Sequence, residues 1–266
     1  FNLKRQYISY ENDMSNHMTF KVVFDVGRTN KLDGEDTRLD VFLKKAYLKH
    51  KSKLGTTQIG MIGTNSYGVQ EKNWGYRFIE KSALDKNKFS HTADLGVGFS
   101  KNILKKLNVS IQITNGEGYK SAQSDRYQKF GVNFTYGEKN LLKKEGFNGG
   151  IVFTNEQTIK KPITLFGVFG GFSFNKLRFA VESNYITKQS IIDNLFSLSS
   201  TYSINHKVKV FYRYDFLDTN TNDLEYLISG LLFNLNNGVS ISPNFRTTNN
   251  DDSNDFVYSL NFEFKF

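Results

Sequence analysis

Nine basic side chains have the type and spacing to steer an anion. Lys72, Arg77, Lys81 and Lys88 fall in one long polar stretch, 65–90, while Lys21, Lys129, Arg178, Lys209 and Arg213 alternate with large apolar residues elsewhere. Arginine presents a planar fork that matches phosphate oxygens, and lysine supplies a compact point charge. The chain has 35 Lys plus Arg against 26 Asp plus Glu, a formal charge of +9. Within low-dielectric walls such an excess concentrates anions, and rings of Arg or Lys select them. For any one of the nine, the plainer reading is a solvated charge without a selective role.

Other chemistries find less support. Of the four histidines, His17, His50 and His206 fall beside short turns. His91 stands near Ser90 and Asp94, but neighbours along a strand point to opposite faces, which argues against a nucleophile and base working together. An enzyme is therefore not expected. With no Cys and no paired His, no zinc site or other cofactor is expected. The acidic segments 33–36 and 251–255 could meet calcium or lipopolysaccharide, but they lack EF-hand spacing and read as solvated loop tips. Segment 115–118 reads as a hairpin turn, since no helix follows it to cradle phosphate. Charges and aromatics lie on opposite strand faces, so no stacking platform for nucleic acid forms.

The elements that carry these charges are strands. Residues 256–266 alternate without a break: Phe256, Tyr258, Leu260, Phe262, Phe264 and Phe266 on one face, Val257, Ser259, Asn261, Glu263 and Lys265 on the other. Eleven residues is about the length a tilted strand needs to cross a bilayer. Mean hydropathy is −0.47, and no stretch approaches the length of apolar run a membrane helix requires. A barrel escapes that test, because only alternate residues meet lipid. Aromatics at 15% and only two prolines, Pro162 and Pro243, suit long hydrogen-bonded ladders.

The pattern predicts one all-β domain over 1–266, an antiparallel up-and-down transmembrane β-barrel. Its strands are 1–11, 17–27, 37–50, 55–64, 91–101, 107–115, 127–137, 146–155, 163–174, 177–187, 194–204, 208–217, 224–235, 239–247 and 256–266. A Lys or Arg on the lipid face costs about 2–4 kcal/mol at midplane, so Lys21, Asp25, Lys129, Arg178, Glu182, Lys209, Arg213 and Asp215 are expected to point into the lumen. Segment 37–50 alternates poorly, which predicts a bulge. Tight turns at 12–16, 52–54, 103–106, 175–176, 205–207 and 236–238 mark the periplasmic rim, although 138–145 is long for such a turn. Bacterial single-chain barrels have even strand counts, so fifteen visible strands imply a sixteenth before Phe1, with a seam between 1–11 and 256–266. Sixteen strands leave an aqueous channel.

On that count the longest connection, 65–90, is the third extracellular loop. Its run Trp74-Gly-Tyr-Arg-Phe-Ile-Glu-Lys-Ser82, then Lys88-Phe-Ser and the strand Ala93-Asp-Leu-Gly-Val-Gly-Phe99, resembles the phosphate-selective porin O and P family, as does the opening Phe1-Asn-Leu-Lys-Arg-Gln-Tyr-Ile-Ser-Tyr10. The likeness covers the first half of the chain; the rest matches only as barrel. It implies a bacterial outer-membrane diffusion channel for small hydrophilic solutes with a preference for anions such as phosphate, narrowed by 65–90 folded inward. It further implies a homotrimer, set in lipid and lipopolysaccharide, with Phe266 as the signal read by the barrel-assembly machinery. Selective members carry a dense ladder of arginines, whereas the charges here are scattered and mixed with acids. A second reading stays open, a non-channel barrel acting as an adhesin or structural protein, and conductance separates the two.

Overall fold

The computed structural model describes residues 3, 5–28, 39–159, 161–235, 238–250 and 253–265. Phe1, the acidic run 33–36, Asp251, Asp252, residues 236–237 of one expected turn, and Phe266 lie outside the described residues.

Among the described residues fifteen strands form one antiparallel sheet in which each pairs with the next in sequence. They are β1 (Gln6–Asp13), β2 (Met18–Arg28), β3 (Leu39–Lys51), β4 (Thr56–Gly63), β5 (Ala93–Asn102), β6 (Leu107–Thr114), β7 (Lys129–Gly137), β8 (Gly146–Glu156), β9 (Ile163–Phe174), β10 (Leu177–Lys188), β11 (Ile191–Ser203), β12 (Val208–Asp218), β13 (Asp223–Asn234), β14 (Val239–Asn250) and β15 (Asn254–Phe264). Among the described residues no ladder joins β15 to β1, so the sheet keeps two edges there.

The faces follow the alternation. Phe20, Phe24, Phe130, Phe134, Ile151, Phe166, Tyr185, Val210 and Phe262 are exposed on the outside, while Asp25, Asn133, Thr135, Arg178, Glu182, Arg213 and Asp215 are buried within. An apolar outside over a polar inside is the signature of a membrane-spanning barrel. The rim carrying the short turns after β1, β3, β5, β9, β11 and β13 is the periplasmic one by the same rule.

Two hairpins are tighter than the alternation suggested. β11 starts at Ile191 rather than 194, because Gln189 and Ser190 both take positive φ (53° and 78°) and close a two-residue turn. Such a turn matches the strand twist without the usual Asn-Gly signature. β14 runs on to Asn250 and β15 begins at Asn254, so the last connection is short as well.

Two irregularities have local causes. Pro243 has no N–H to give, and the β13–β14 ladder skips from Gly230↔Asn244 to Phe233↔Ile241. In β3 the expected bulge is present: Val23 pairs with Lys45 and Phe24 with Leu43, leaving Lys44 as the extra residue.

Candidate functional site

The connection 64–92 runs across the inner face of the sheet. Two short helices, α1 (Gly68–Trp74) and α2 (Ala83–Lys86), stiffen it. α1 stops at Gly75, whose φ of 79° favours glycine. A Cβ there would also stand 2.6 Å from the Leu142 side chain.

What pins the loop is an apolar footprint on strands that ought to be polar inside. Tyr67, Ala83, Leu84 and Phe89 pack on Val152, Leu165, Phe169, Ile186 and Leu195. Trp74, Tyr76 and Ile79 pack on Phe211, Tyr226, Ile228 and Leu232. A water-filled lumen has no use for these inward residues; they exist to receive the loop.

Between the helices the loop backbone is irregular, and its buried carbonyls need donors. Arginines on the wall supply them. Arg178 Nη2 donates to the Trp74 carbonyl at 2.9 Å. Arg213 Nη1 donates to the Lys81 carbonyl at 2.5 Å, while its other nitrogens grip Asp215 in a two-pronged pair at 2.8 and 2.5 Å. Arg246 Nη2 donates to the Ile79 carbonyl at 2.7 Å and Nη1 pairs with Glu80 at 3.0 Å. Burial pushes the Glu80 carboxyl up, but the Arg246 charge, the Lys81 N–H and the Tyr226 hydroxyl together hold it below its ordinary value. Reciprocal amide bonds between Asn73 and Asn148, at 2.9 and 2.8 Å, and four bonds from Asn65 and Gln112 complete the seam on β6 to β8.

The opposite wall is built differently. The bulge in β3 turns both Lys44 and Lys45 toward the interior, since Lys45 faces Val23 and the extra Lys44 reaches Asp25 at 3.8 Å. The Tyr7 hydroxyl accepts from three cations: Arg5 at 2.8 Å, Lys44 at 2.9 Å and Arg77 of the loop at 3.3 Å. Asp25 takes Arg5 at 3.4 Å and the Tyr119 hydroxyl at 2.8 Å. Lys45 Nζ reaches over Gly63 at the start of the loop. Arg77 pairs with Glu71 and with Asp85, the latter at 2.7 Å; burial opposes its charge, yet Glu71 and its other partners hold its pKa above the ordinary value. Lys120 Nζ lies 4.4 Å from the Phe42 ring centre and 5.9 Å from that of Tyr119, which Lys44 also faces at 5.5 Å, so Lys120 joins the same cluster; burial lowers its pKa, against the pull of Asp25.

The nine residues singled out in the sequence therefore divide. Arg77 joins the basic cluster through Tyr7, Lys81 meets the opposite wall through its backbone, with its carbonyl on Arg213, and Lys21 lies on the wall of the cluster, paired with Glu11 at 2.6 Å. Lys72 and Lys88 are exposed on the loop, Lys88 with φ of 59°. Lys129 pairs with Glu156 at 3.2 Å. Lys209 lies apart, at the periplasmic mouth. Arg178 and Arg213, expected to face a path, are instead shut beneath the loop at 7% and 1% exposure, because the loop carbonyls claim them. Sequence reasoning missed Arg5, Lys44, Lys45 and Lys120; the paired Lys44-Lys45 inside a strand with broken alternation was the available signal.

Ser90, His91 and Asp94 do not form a catalytic relay. Ser90 Oγ bonds Ser66 and the His91 carbonyl, and Asp94 accepts from the Gly116 and Leu95 N–H groups at 2.6 and 2.8 Å. No metal-holding cluster of His, Cys, Asp or Glu occurs among the described residues.

Fold and inner loop together define a porin-type β-barrel, and solved structures agree. The chain is similar to Salmonella typhi OmpF in complex with daunomycin, with a TM-score of 0.70 at 13% identity over 97% of this chain and 89% of that one. It is similar to an anion-selective porin from Comamonas acidovorans, at 0.63 and 11% over 96% and 83%. It is also similar to the trimer form of OmpT, an outer membrane protein of Vibrio cholerae, at 0.62 and 14% over 97% and 88%. No protein-family model matches the sequence, and no curated protein matches it.

Proposed function

We propose that this chain is a passive diffusion channel of the bacterial outer membrane, narrowed by the loop 64–92 and selective for small anions. The observation that carries the reading is the β3 bulge, which sets Lys44 beside Lys45 on the lumen face, where the Tyr7 hydroxyl accepts from both Lys44 and Arg77 of the loop. Among the described residues Arg5, Lys44, Lys45, Arg77 and Lys120 gather about Asp25, Glu71 and Asp85, an excess of cations that favours an anion. Phosphate is the favoured class on the likeness of 74–82 to the phosphate-selective porins. Arg77 has its fork held by two carboxylates, which leaves lysine point charges to meet the solute. A trimer is the proposed assembly, the form in which the Vibrio cholerae OmpT was solved.

Reversal potentials of the reconstituted protein in a KCl gradient test this: anion preference is expected, and clear cation preference overturns it. Block of the chloride current by phosphate, weakened in K44Q/K45Q, tests the finer claim. The adhesin or structural reading draws on one observation, that the loop is bonded to the wall from β6 round to β15 and to Tyr7 of β1. A barrel that inserts but never conducts would favour it.

A further inference from the structure

Charges and aromatics do not keep to opposite faces on the wall of β1 to β3. The β3 bulge shifts the alternation, so that Phe42 faces Asp25 and Tyr47 faces Lys21 on the inner side of the sheet. Tyr7 of β1 faces Asp25 as well, which sets Tyr7, Asp25 and Phe42 in one row across three strands. Tyr119, from the connection after β6, joins that row by donating its hydroxyl to Asp25 at 2.8 Å. The bulge thereby brings together rings and charges that alternation alone holds apart.

Lysines lie over these rings. Lys44 Nζ is 4.5 Å from the Tyr7 ring centre and 5.5 Å from that of Tyr119, and Lys120 Nζ is 4.4 Å from that of Phe42. Each ring keeps a part open: Tyr7 is 43% exposed, and Phe42 and Tyr119 are half-buried. The inward aromatic cluster of Trp74, Tyr76 and Phe211, by contrast, is shut beneath the loop and meets no solute. A bare inorganic anion uses the lysines and leaves the open rings idle. A planar ring with an anionic head uses both, its head on a lysine and its ring stacked or set edge-on against Tyr7, Phe42 or Tyr119. Arg5 and Arg77 are engaged with carboxylates, so the head meets lysine point charges, which suit a single carboxylate.

We propose that this wall selects aromatic carboxylates among the anions the channel passes. The selection rests on the anion-channel reading and adds the shape of the solute to its charge. Phe42 isolates the effect, since its ring offers stacking but neither charge nor hydrogen bond.

Block of the chloride current through the reconstituted full chain by benzoate and by cyclohexanecarboxylate tests it, since the two share charge and approximate size at neutral pH. Benzoate is expected to block at about fivefold lower concentration, although the saturated ring is the more apolar body. In F42L the two should block alike, while F42Y, which keeps the ring, should keep the preference. Equal block of the parent, no block by either, or a preference for the saturated ring overturns the proposal. So does a benzoate preference that survives F42L, or one lost equally in F42Y. Any of these results alongside anion preference in KCl leaves the channel reading standing, whereas cation preference in KCl sinks that reading by itself.

Discussion

The two walls of the barrel use positive charge in opposite ways. On β10, β12 and β14 arginines point inward, and each is spent on a loop carbonyl. Just before β1 and on β3 an arginine and two lysines point inward beside tyrosines, with few carboxylates among the described residues to neutralise them. Formal charge alone does not separate the walls. The apolar footprint does: where Leu165, Phe169, Phe211 and Ile228 face inward the loop docks and the arginines become structural, and where they are lacking the charges stay on offer to a solute.

Removing an anchor should break that contrast most strongly. Arg213→Ala leaves buried Asp215 without its counter-charge, with the Ser197 hydroxyl still donating to it at 2.6 Å, and losing one half of a buried pair costs about 3–5 kcal/mol. Expected readouts are a lower unfolding temperature in detergent and noisier single-channel currents as the loop loosens; quiet currents at the parental amplitude would remove Arg213 from the anchoring role. Arg246→Ala should act the same way but less, by about 1.5–3 kcal/mol, since it strips one charged hydrogen-bond partner from Glu80 while Tyr226 still donates to it.

The opposite wall should respond in selectivity rather than stability. Lys45→Gln is expected to move the reversal potential toward zero while the unfolding midpoint stays close to the parent's, whereas Lys44→Gln, which also strips buried Asp25 of a partner 3.8 Å away, should lower the midpoint as well. A shifted midpoint with unchanged selectivity would make the bulge a structural device and erase the distinction between the walls.

A pH scan sharpens the comparison further, with the smallest expected effect. Lys86 of α2 sits 3.0 Å from the Tyr226 ring centre, and burial pushes its pKa down from 10.5 to about 8, against the pull of Asp215 and Glu80. Between pH 8 and 10.5 the unfolded chain then binds the proton more tightly than the folded one, so stability rises with pH across that window. Lys86→Met should flatten the rise in unfolding temperature; an unaltered slope would mean that another group titrates.

Alternation carried the fold. Large apolar residues at every second position place all fifteen strands, and the one segment that alternates poorly does hold a bulge. The shortfalls come from chemistry with no local signature. Gln189-Ser190 turns a hairpin without glycine, so β11 reads three residues short. Arg213 and Lys209 look alike on one strand, and only the Lys81 carbonyl, 132 residues away in sequence, makes the first an anchor. Apolar residues on both faces of β9, such as Leu165 inward and Phe166 outward, were the overlooked trace of a docked loop.

The loop's fastenings also dictate an order of events during assembly. Arg213, Arg246 and Asn261 meet it across 132, 167 and 183 residues of chain, so its contacts on that side do not exist until β12 to β15 have been laid down. Closing spans of that size is slow, and contacts between distant residues form late. Residues 64–92 must therefore wait, their Trp74, Tyr76 and Ile79 uncovered, while two-thirds of the sheet is still being added behind them. Strands β12 to β15 extend the wall and seat the loop in the same step.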